Sequence, residues 1–214
     1  LERYGMTETS MNASNPLNGE RRMGSVGPAL PGVELRTVND SGELTDPGKV
    51  GHLQVRGPNV FSGYWRMPEK TAEEFTADGF FITGDEAIID QDGYVSIVGR
   101  AKDMIITGGL NVYPREVEQV LDELPEVLES AVIGAPHPDF GEGVIAVLTA
   151  EPDSNLDTAQ LLESIRPRLA AFKRPKAVYV IADLPRNAMG KVQKNLLREQ
   201  YVNTFTGHQA PPGS

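Results

Sequence analysis

The feature that most restricts the fold is a change of sequence texture near residue 100. Before it, short apolar runs alternate with clusters of glycine, proline, asparagine and aspartate, such as ASNPLNG and NDSGELTDPG. These clusters supply the backbone angles of tight turns, so they leave room for short strands only. Val33, Leu35 and Thr37 predict one strand, and Leu53 and Val55 share a face of a second. FFITGDEAIIDQDGYVSIVGR predicts two more strands joined by the turn DQDG.

After Arg100 the pattern changes to helices between buried strands. YPREVEQVLDEL has an early proline and then apolar residues at helical spacing. SAVIGAP, GVIAVLTA and AVYVI predict buried strands by their length and β-branching. A second helix is predicted from Asp157 to Phe172, with a kink or restart at Pro167, and KNLLREQY predicts a last helix. The predicted class is α+β, with a domain boundary near residues 100 to 103.

The composition argues against several classes of function. The chain has no cysteine, which excludes disulfides and thiolate metal sites, and its three histidines lie too far apart in sequence to suggest a zinc centre. A formal net charge of −10 argues against binding a nucleic-acid backbone. No apolar run reaches the roughly 20 residues of a membrane span, and no signal peptide is visible. A cytoplasmic protein acting on small molecules is therefore predicted.

Five polar, glycine-containing segments are candidates for chemistry: YGMTET at the start, expected as a loop, TGD at 83–85, GRAKDMIITGG at 99–109, AFKRPK at 171–176 and LPRNAMGKVQK at 184–194. Each has an ordinary structural reading as well. Asp85 could serve a turn, Arg100 and Asp103 could form a surface ion pair, and Lys191 could be a solvated lysine. The TGG sequence could be a plain hairpin turn.

Single positions argue against two familiar motifs. Residues 184–194 do not form a P-loop, because Pro185 stands at the first glycine position and Val192 at the Ser/Thr position. The DQDG segment is not an EF-hand, because Tyr94 stands in place of the third ligand and the terminal glutamate is missing. A hairpin turn is the prediction for DQDG.

In combination and in this order, the segments resemble the adenylate-forming enzymes, which include acyl-CoA synthetases, peptide adenylation domains and firefly-type luciferases. The matching motifs, over nearly all of residues 1–205, are YGMTE, GHLQVRGPNVFSGYWRMPEKT, FFITGD, GRAKDMIITGGLNVYPREVE and LPRNAMGKVQK. A narrower resemblance to malonyl-CoA and methylmalonyl-CoA synthetases rests on TETSMNASNP, NVFSGYWRMPEKT and ADLPRNAMGKVQKN. The resemblance implies the C-terminal, β-rich part of a large AMP-binding domain over 1–101, a small mobile α+β domain over 102–205 and a disordered tail over 206–214.

Such enzymes join ATP to a carboxylate, giving acyl-AMP and pyrophosphate, and the CoA thiol then displaces AMP. The resemblance implies that Tyr4 lies against adenine and that Asp85 and Arg100 bind the ribose. Thr7 is implied to bind a phosphate. Glu8 is implied to hold Mg²⁺, a cation that prefers oxygen ligands.

The resemblance also implies roles in the small domain. Lys191 would bridge the substrate carboxylate and the α-phosphate, and Lys102 would be the hinge about which the domain rotates. Gly108 and Gly109 would let the pantetheine arm of CoA pass close to the backbone. Lys191 is in addition expected to be a target of a lysine acetyltransferase, since acetylation would remove its charge.

Some of the implied roles have less support in the sequence. Lys173 is assigned, with Arg174, to the CoA phosphates, although a solvated face is an equally open reading. Thr9, Ser10 and Met11 are expected to line part of the acyl pocket.

The glycine-rich loop with which this family grips the ATP β- and γ-phosphates has no counterpart here. The chain is therefore expected to need a missing N-terminal part and to form no acyl-AMP alone. Arg21 and Arg22 are the only arginines near the opening motif that could bind the distal carboxylate of malonate. Two alternatives stay open: an enzyme for another short carboxylate, or a non-catalytic nucleotide- or CoA-binding module modified by an acetyltransferase.

Overall fold

The computed structural model describes residues 1–152, 154 and 156–206, and the chain divides into two compact units. The first unit is Leu1–Lys102, and the second begins at Asp103. This division lies one residue after the boundary set from the sequence between 101 and 102. The tail expected at 206–214 lies outside the described residues except for Thr206.

The first unit contains a four-stranded antiparallel sheet. Its strands, in spatial order, are β3 (Glu34–Val38), β4 (Val50–Arg56), β5 (Phe81–Ile89) and β6 (Val95–Arg100). Leu53 and Val55 are completely buried on β4, as their alternation with polar neighbours predicts. All four strands predicted from the sequence are therefore confirmed.

The opening segment was expected as a loop, and this prediction is wrong. Strands β1 (Arg3–Met6) and β2 (Ser10–Ser14) form an antiparallel hairpin in which Tyr4 pairs with Ala13. Both side chains are buried in a cluster with Leu53, Ala87 and Val95. Strands of four and five residues are too short to show an alternating pattern, so this tertiary packing decides the conformation.

A short helix, α1 (Pro68–Glu73), was also not predicted. Pro68 lies in its first turn, where a missing N–H costs nothing. None of its residues is buried, so the sequence carries no apolar periodicity at this place.

The second unit is a mixed sheet with helices. Its elements are β7 (Ile105–Thr107), β8 (Leu110–Val112), α2 (Pro114–Asp122), β9 (Val127–His137), β10 (Gly141–Ala150), α3 (Thr158–Ile165), β11 (Ala177–Val180) and α4 (Lys194–Tyr201). Strand β10 pairs antiparallel with β9 and β7 and parallel with β11. Separate strands and helices around a mixed sheet confirm the predicted α+β class.

Alternate residues of β9 and β10 are buried on opposite faces of this sheet. Val132, Val144 and Leu148 pack with residues of α2 and α3, such as Val117 and Leu161. On the other face, residues such as Ile133 and Ile145 pack with Leu197 of α4. Each completely buried aliphatic side chain contributes about 1.5–3 kcal/mol, so both apolar faces stabilise this unit.

The helix predicted over 157–172 is shorter than expected. Asp157 caps its start by accepting hydrogen bonds from the backbone N–H groups of Ala159 and Gln160. The helix ends at Ile165, because Pro167 cannot donate a backbone hydrogen bond and disfavours helical geometry before it. The predicted restart is only a 3₁₀ turn at Ala171–Lys173.

Candidate functional site

In the first unit, the hairpin of β1 and β2 carries the YGMTE motif on a tight turn. A Cβ atom added at Gly5 would lie 2.1 Å from the backbone oxygen of Ser10, so only glycine permits this close pairing of the strands. The turn leaves Thr7 exposed and Glu8 partly exposed. Tyr64 donates its hydroxyl hydrogen to Glu8 Oε1 at 3.3 Å, and Phe61 N donates to the Glu8 carbonyl oxygen at 2.8 Å. Glu8 is thus held in place, with a second carboxylate oxygen available.

Tyr4, Asp85 and Arg100 form one cluster, joined by a hydrogen bond and an ion pair. The register of β5 and β6 sets Asp85 directly opposite Arg100. Arg100 Nε lies 3.0 Å from Asp85 Oδ1, and the Tyr4 hydroxyl donates to Asp85 Oδ2 at 2.5 Å. Asp85 is only 5% exposed, whereas 46% of the Arg100 side chain is exposed. The structure therefore brings three of the predicted nucleotide contacts together around one carboxylate.

Burial and charge both act on Tyr4. Burial raises the pKa of the Tyr4 hydroxyl, and the neighbouring Asp85 carboxylate raises it further. Tyr4 therefore keeps its proton and serves as a hydrogen-bond donor to Asp85. Thr83 supports the carboxylate from the strand side, because its hydroxyl accepts the backbone N–H of Asp85 at 3.1 Å.

The tyrosine ring itself lies in the apolar cluster, with 9% of the residue exposed. Its contact with adenine stays a prediction, as do the ribose contacts of Asp85 and Arg100.

Thr9, Ser10 and Met11 differ in their surroundings. Thr9 is completely buried and its hydroxyl accepts a hydrogen bond from Asn12 Nδ2 at 2.7 Å, so the Thr9 side chain supports the hairpin. Ser10 is exposed with a φ of 52°, and Met11 is 38% exposed. Ser10 and Met11 are thus the two accessible members of this set, and the substrate role of all three stays a prediction.

Asn59 is a residue that the sequence reasoning missed. Its Nδ2 lies within hydrogen-bond distance of the carbonyl oxygens of Thr9 (2.6 Å) and Met11 (3.2 Å) and of Asn12 Oδ1 (2.9 Å). The residue therefore fastens the start of β2 to the loop after β4. An asparagine after a proline predicts only a turn, so no signal in a single sequence could have identified this contact.

Arg21 and Arg22 have local partners. Arg21 donates to the carbonyl oxygens of Pro16 and Leu17. Arg22 binds Asp90 and Asp92 at 2.6 Å each and lies over the Tyr94 ring. The suggestion that either arginine binds a distal substrate carboxylate is not supported, because these contacts use the guanidinium groups within the first unit.

Lys102, the predicted hinge residue, is exposed and lies in the 3₁₀ turn Ala101–Asp103. The boundary between the two compact units follows it directly. Asp103, which comes next, is bound by Arg198 of α4 at 2.7 Å. The position suits a hinge, and the hinge motion stays a prediction.

In the second unit, Gly108 and Gly109 form the two-residue turn of the β7–β8 hairpin, with φ angles of 58° and 78°. Both angles lie in the left-handed region that glycine adopts most readily, as in the two-residue turns of hairpins. The space around a Cβ atom at Gly109 is open within 4 Å. The turn itself therefore favours glycine at both positions, independently of any passage for pantetheine.

The two residues predicted to contact the CoA phosphates, Lys173 and Arg174, have partners within the second unit. Lys173 Nζ lies 2.5 Å from Glu116 Oε1 of α2, and Arg174 Nε donates to the carbonyl oxygen of Leu169 at 2.9 Å. Lys173 would have to exchange its carboxylate partner to bind a phosphate.

Lys191 lies on the loop between β11 and α4, next to Gly190 with its φ of 78°. Its side chain is exposed and makes no hydrogen bond or ion pair with another residue that the structure describes. The backbone around it is bound to Arg186 and Asn187. Lys191 thus belongs to a different compact unit from the Tyr4–Asp85–Arg100 cluster.

The described ranges, with gaps at 153 and 155, contain no helix that is long and apolar enough to cross a membrane. Over the same ranges, no three histidine, aspartate or glutamate side chains gather as a metal-binding group. Any cation at Glu8 would therefore need further ligands other than a group of histidine, aspartate or glutamate side chains from the described residues.

Comparison with known proteins identifies two parts of one family. Residues 1–65 match the AMP-binding enzyme family, and residues 116–191 match the AMP-binding enzyme C-terminal domain. A malonate–CoA ligase of Arabidopsis thaliana is 41% identical over 214 residues, covering 95% of this chain and 35% of the relative. The mitochondrial malonate–CoA ligase ACSF3 of Mus musculus is 41% identical over 234 residues, covering 100% of this chain and 40% of the relative.

Among solved structures, ATP-bound MatB from Rhodopseudomonas palustris is 57% identical with a TM-score of 0.90, covering 95% of this chain and 41% of that chain. The chain thus has the fold of the corresponding region of that protein. It spans between 35% and 41% of the length of these relatives.

Proposed function

Since the chain belongs to the AMP-binding, adenylate-forming enzyme family, we propose that it supplies the C-terminal part of an ATP-dependent acyl-CoA synthetase. The substrate carboxylate attacks the α-phosphorus of ATP, giving acyl-AMP and releasing pyrophosphate. The CoA thiol then attacks the acyl carbon and loses its proton, which releases AMP. The activity belongs to a protein of the relatives' length that contains this chain, since the chain spans 35–41% of them.

The Tyr4–Asp85–Arg100 cluster is the observation that carries this proposal. Asp85 Oδ2 accepts a hydrogen bond from Tyr4 and Oδ1 forms an ion pair with Arg100, and each oxygen retains a lone pair for a ribose hydroxyl. Arg100 adds an exposed donor beside it. A buried carboxylate oriented in this way suits a vicinal diol, which presents two hydroxyl donors side by side.

Thr7 and Glu8 are suited to the phosphates. Glu8 offers the single hard oxygen donor that Mg²⁺ commonly takes from protein when its other ligands are water and substrate phosphates. When bound there, Mg²⁺ would neutralise phosphate charge as pyrophosphate leaves. The exposed Thr7 hydroxyl lies one residue away and is a suitable phosphate donor.

In the second unit, Lys191 and the Gly108–Gly109 turn contribute to the two half-reactions. The ammonium of Lys191 offsets the repulsion between the substrate carboxylate and the α-phosphate. Rotation about Lys102 then withdraws Lys191 and brings the Gly108–Gly109 turn to the thioester step. Lys173, with Arg174, binds the CoA phosphates after releasing Glu116.

The substrate is a small dicarboxylate, malonate or methylmalonate. Support comes from the two relatives named malonate–CoA ligases and from the TETSMNASNP stretch, whose Ser10 and Met11 are accessible. Thr9 would contribute by shaping this pocket through the hairpin. The alternative is another short carboxylate.

Two further expectations remain proposals. The exposed Lys191, with no side-chain partner among the described residues, is a suitable target for a lysine acetyltransferase, which would remove the charge needed for adenylation. A cytoplasmic location stays a proposal, and the relative from Mus musculus is named as mitochondrial.

The decisive experiment separates the two half-reactions in a full-length enzyme carrying this chain. Pyrophosphate release is measured with malonate, methylmalonate, acetate and amino acids, and thioester formation is measured separately from supplied acyl-AMP. Lys191→Ala should abolish the first reaction and spare the second, whereas Gly109→Leu should do the reverse. Lys49→Ala, an exposed lysine on a turn of the first unit, is the control and should change neither.

Equal loss of both half-reactions in Lys191→Ala would contradict the role given to Lys191. Release of pyrophosphate only with amino acids would replace the synthetase by a carrier-protein adenylation domain. Full activity after stoichiometric acetylation of Lys191 would remove the regulatory proposal.

A further inference from the structure

Lys191 has a long, flexible side chain on an exposed loop, and this makes its position a physical problem. An unrestrained lysine loses side-chain entropy when it is fixed, and a mobile loop would add the cost of ordering its backbone. To neutralise charge effectively, the ammonium must be carried by a backbone segment whose position is defined. The surroundings of the Lys191 backbone are therefore informative.

Asn187 binds both backbone polar groups of Lys191. The side-chain oxygen of Asn187 accepts the N–H of Lys191 and that of Met189, each at 3.0 Å. In the other direction, Asn187 N donates to the carbonyl oxygen of Lys191 at 2.9 Å, and Gly190 N donates to the carbonyl oxygen of Asn187 at 2.9 Å. The side chain and the backbone of Asn187 thus close the loop around Gly190.

Arg186 fastens this closed loop to the sheet. One guanidinium nitrogen, Nη1, donates to the carbonyl oxygen of Gly190 at 2.6 Å, directly before Lys191. The other, Nη2, forms an ion pair with Glu129 of β9. Val192, directly after Lys191, packs against the apolar cluster on one face of the sheet. The peptide units on both sides of Lys191 are thereby tied to the central strands.

We propose that Asn187 and Arg186 are positioning residues for Lys191, with Glu129 as the anchor of Arg186 on the sheet. They hold the Lys191 backbone in one conformation, so that only the side chain must be ordered when the ammonium reaches the phosphate. This inference rests on the proposed adenylation role of Lys191. It assigns a function to the arginine and asparagine of the PRNAMGK segment, of which only the lysine acts on the substrate.

The structural part of the inference is tested on this chain by amide hydrogen exchange. Asn187→Ala removes the acceptor and should speed exchange at Lys191 and Met189 by about fivefold, because both N–H groups lose their hydrogen-bond partner. Asn187→Asp retains the acceptor and should exchange nearly as the parent does. Asn203→Ala, a substitution near the end of α4, is the matched control. Unchanged exchange in Asn187→Ala would overturn the inference.

The catalytic part is tested in the full-length enzyme. Asn187→Ala should lower kcat for pyrophosphate release by about tenfold or more, with little change in KM for ATP and with normal thioester formation from acyl-AMP. Glu129→Gln and Arg186→Met should lower the same step, whereas Asn187→Asp should restore most of it. A purely structural role would instead reduce both half-reactions together, and that result would contradict the inference.

Lys191→Ala in the same assays separates the two proposals. If Lys191→Ala keeps normal adenylation, the function given to Lys191 fails, and the catalytic consequence proposed here fails with it. If Lys191→Ala abolishes adenylation while Asn187→Ala and Arg186→Met leave it intact, only the positioning inference is wrong.

Discussion

The first unit buries nine polar or charged side chains, while the described part of the second unit buries three. Those of the first unit are Thr9, Asn12, Asn15, Ser25, Thr37, Gln54, Thr83, Asp85 and Glu86. The second unit instead contains two large apolar clusters on the two faces of its sheet. The first unit therefore depends on hydrogen-bond networks, in which each unpaired group is costly, and the second depends on apolar packing.

The difference extends to the predicted site residues. Asp85 is buried and oriented by Tyr4, Thr83 and Arg100, so its geometry is set before any ligand arrives. Lys191 is exposed, and only its backbone is fixed. A residue that binds its ligand without moving can be buried. A residue that is proposed to enter and leave the site needs a free side chain on a fixed backbone.

The largest expected effect concerns the apolar interior of the second unit. Leu121→Ala removes a completely buried side chain of α2 and should lower the free energy of unfolding by about 2–5 kcal/mol. Leu128→Ala, on β9 and 57% exposed, is the matched control and should change it by less than about 0.5 kcal/mol. Urea unfolding followed by hydrogen exchange within this unit gives the comparison. Similar losses in both variants would mean that apolar packing does not dominate here.

The next effect concerns the polar network of the first unit. Tyr4→Phe removes the donor to Asp85 and should cost about 1–3 kcal/mol near neutral pH. The pKa of Tyr4 is raised in the folded chain, so its contribution is complete below the ordinary pKa of 10.0. As the pH rises above that value, the unfolded chain ionises Tyr4 while the folded chain keeps the proton, and the contribution falls.

The difference in unfolding free energy between parent and Tyr4→Phe should therefore shrink from about pH 8 to about pH 11. Parallel urea titrations at the two pH values measure it. A difference that stays constant would show that Tyr4 ionises alike in both states.

A pair of glycine substitutions compares the two hairpins. Gly5→Ala drives a Cβ atom against a backbone oxygen and should cost about 1–3 kcal/mol or more, because the strands must separate. Gly109→Ala meets open space and should cost about 1–2 kcal/mol through its positive φ alone. Asparagine tolerates that φ, so Gly109→Asn should recover part of the loss, whereas Gly5→Asn should not. Recovery at both positions would argue against a steric cause at Gly5.

The smallest effect belongs to His52 on β4. Burial lowers the pKa of this histidine, but the hydrogen bond to Asp40 and the charge of Glu86 outweigh burial and raise it. The stability contributed by the protonated ring is complete below the ordinary pKa of 6.5 and is lost as the pH rises through the raised value. Because the side chain is 38% exposed, the contribution should stay below about 1 kcal/mol.

His52→Gln should remove this pH dependence. The free energy of unfolding should then stay constant as the pH rises from the ordinary pKa of 6.5 through the raised pKa of His52. An NMR titration of the imidazole gives the pKa directly, and a value at or below 6.5 would be the contrary result.

Sequence reasoning was most successful where packing follows simple periodicity. Strands β3 to β6, β9 to β11 and helices α2 and α4 have apolar residues at the spacing their geometry requires. It was less successful where an element is short. The opening hairpin and α1 have too few residues for a pattern, the β7–β8 pair was read only as a possible hairpin turn at TGG, and the end of α3 at Ile165 depends on how strongly Pro167 interrupts the helix.

The sequence by itself determined the α+β class, the approximate boundary and the resemblance of the segments carrying Tyr4, Asp85, Arg100 and Lys191 to the motifs of one family, whose models match the segments of Tyr4 and Lys191. Residue types and their order along the chain suffice for these, because they depend on local periodicity and on matching segments. Only the tertiary structure decided the partners: Asp85 between Tyr4 and Arg100, Arg22 with Asp90, and Arg186 with Glu129. Such pairs join residues up to 81 positions apart. Strand register sets Asp85 opposite Arg100, and the packing of separate segments brings the other pairs together, which no local pattern encodes.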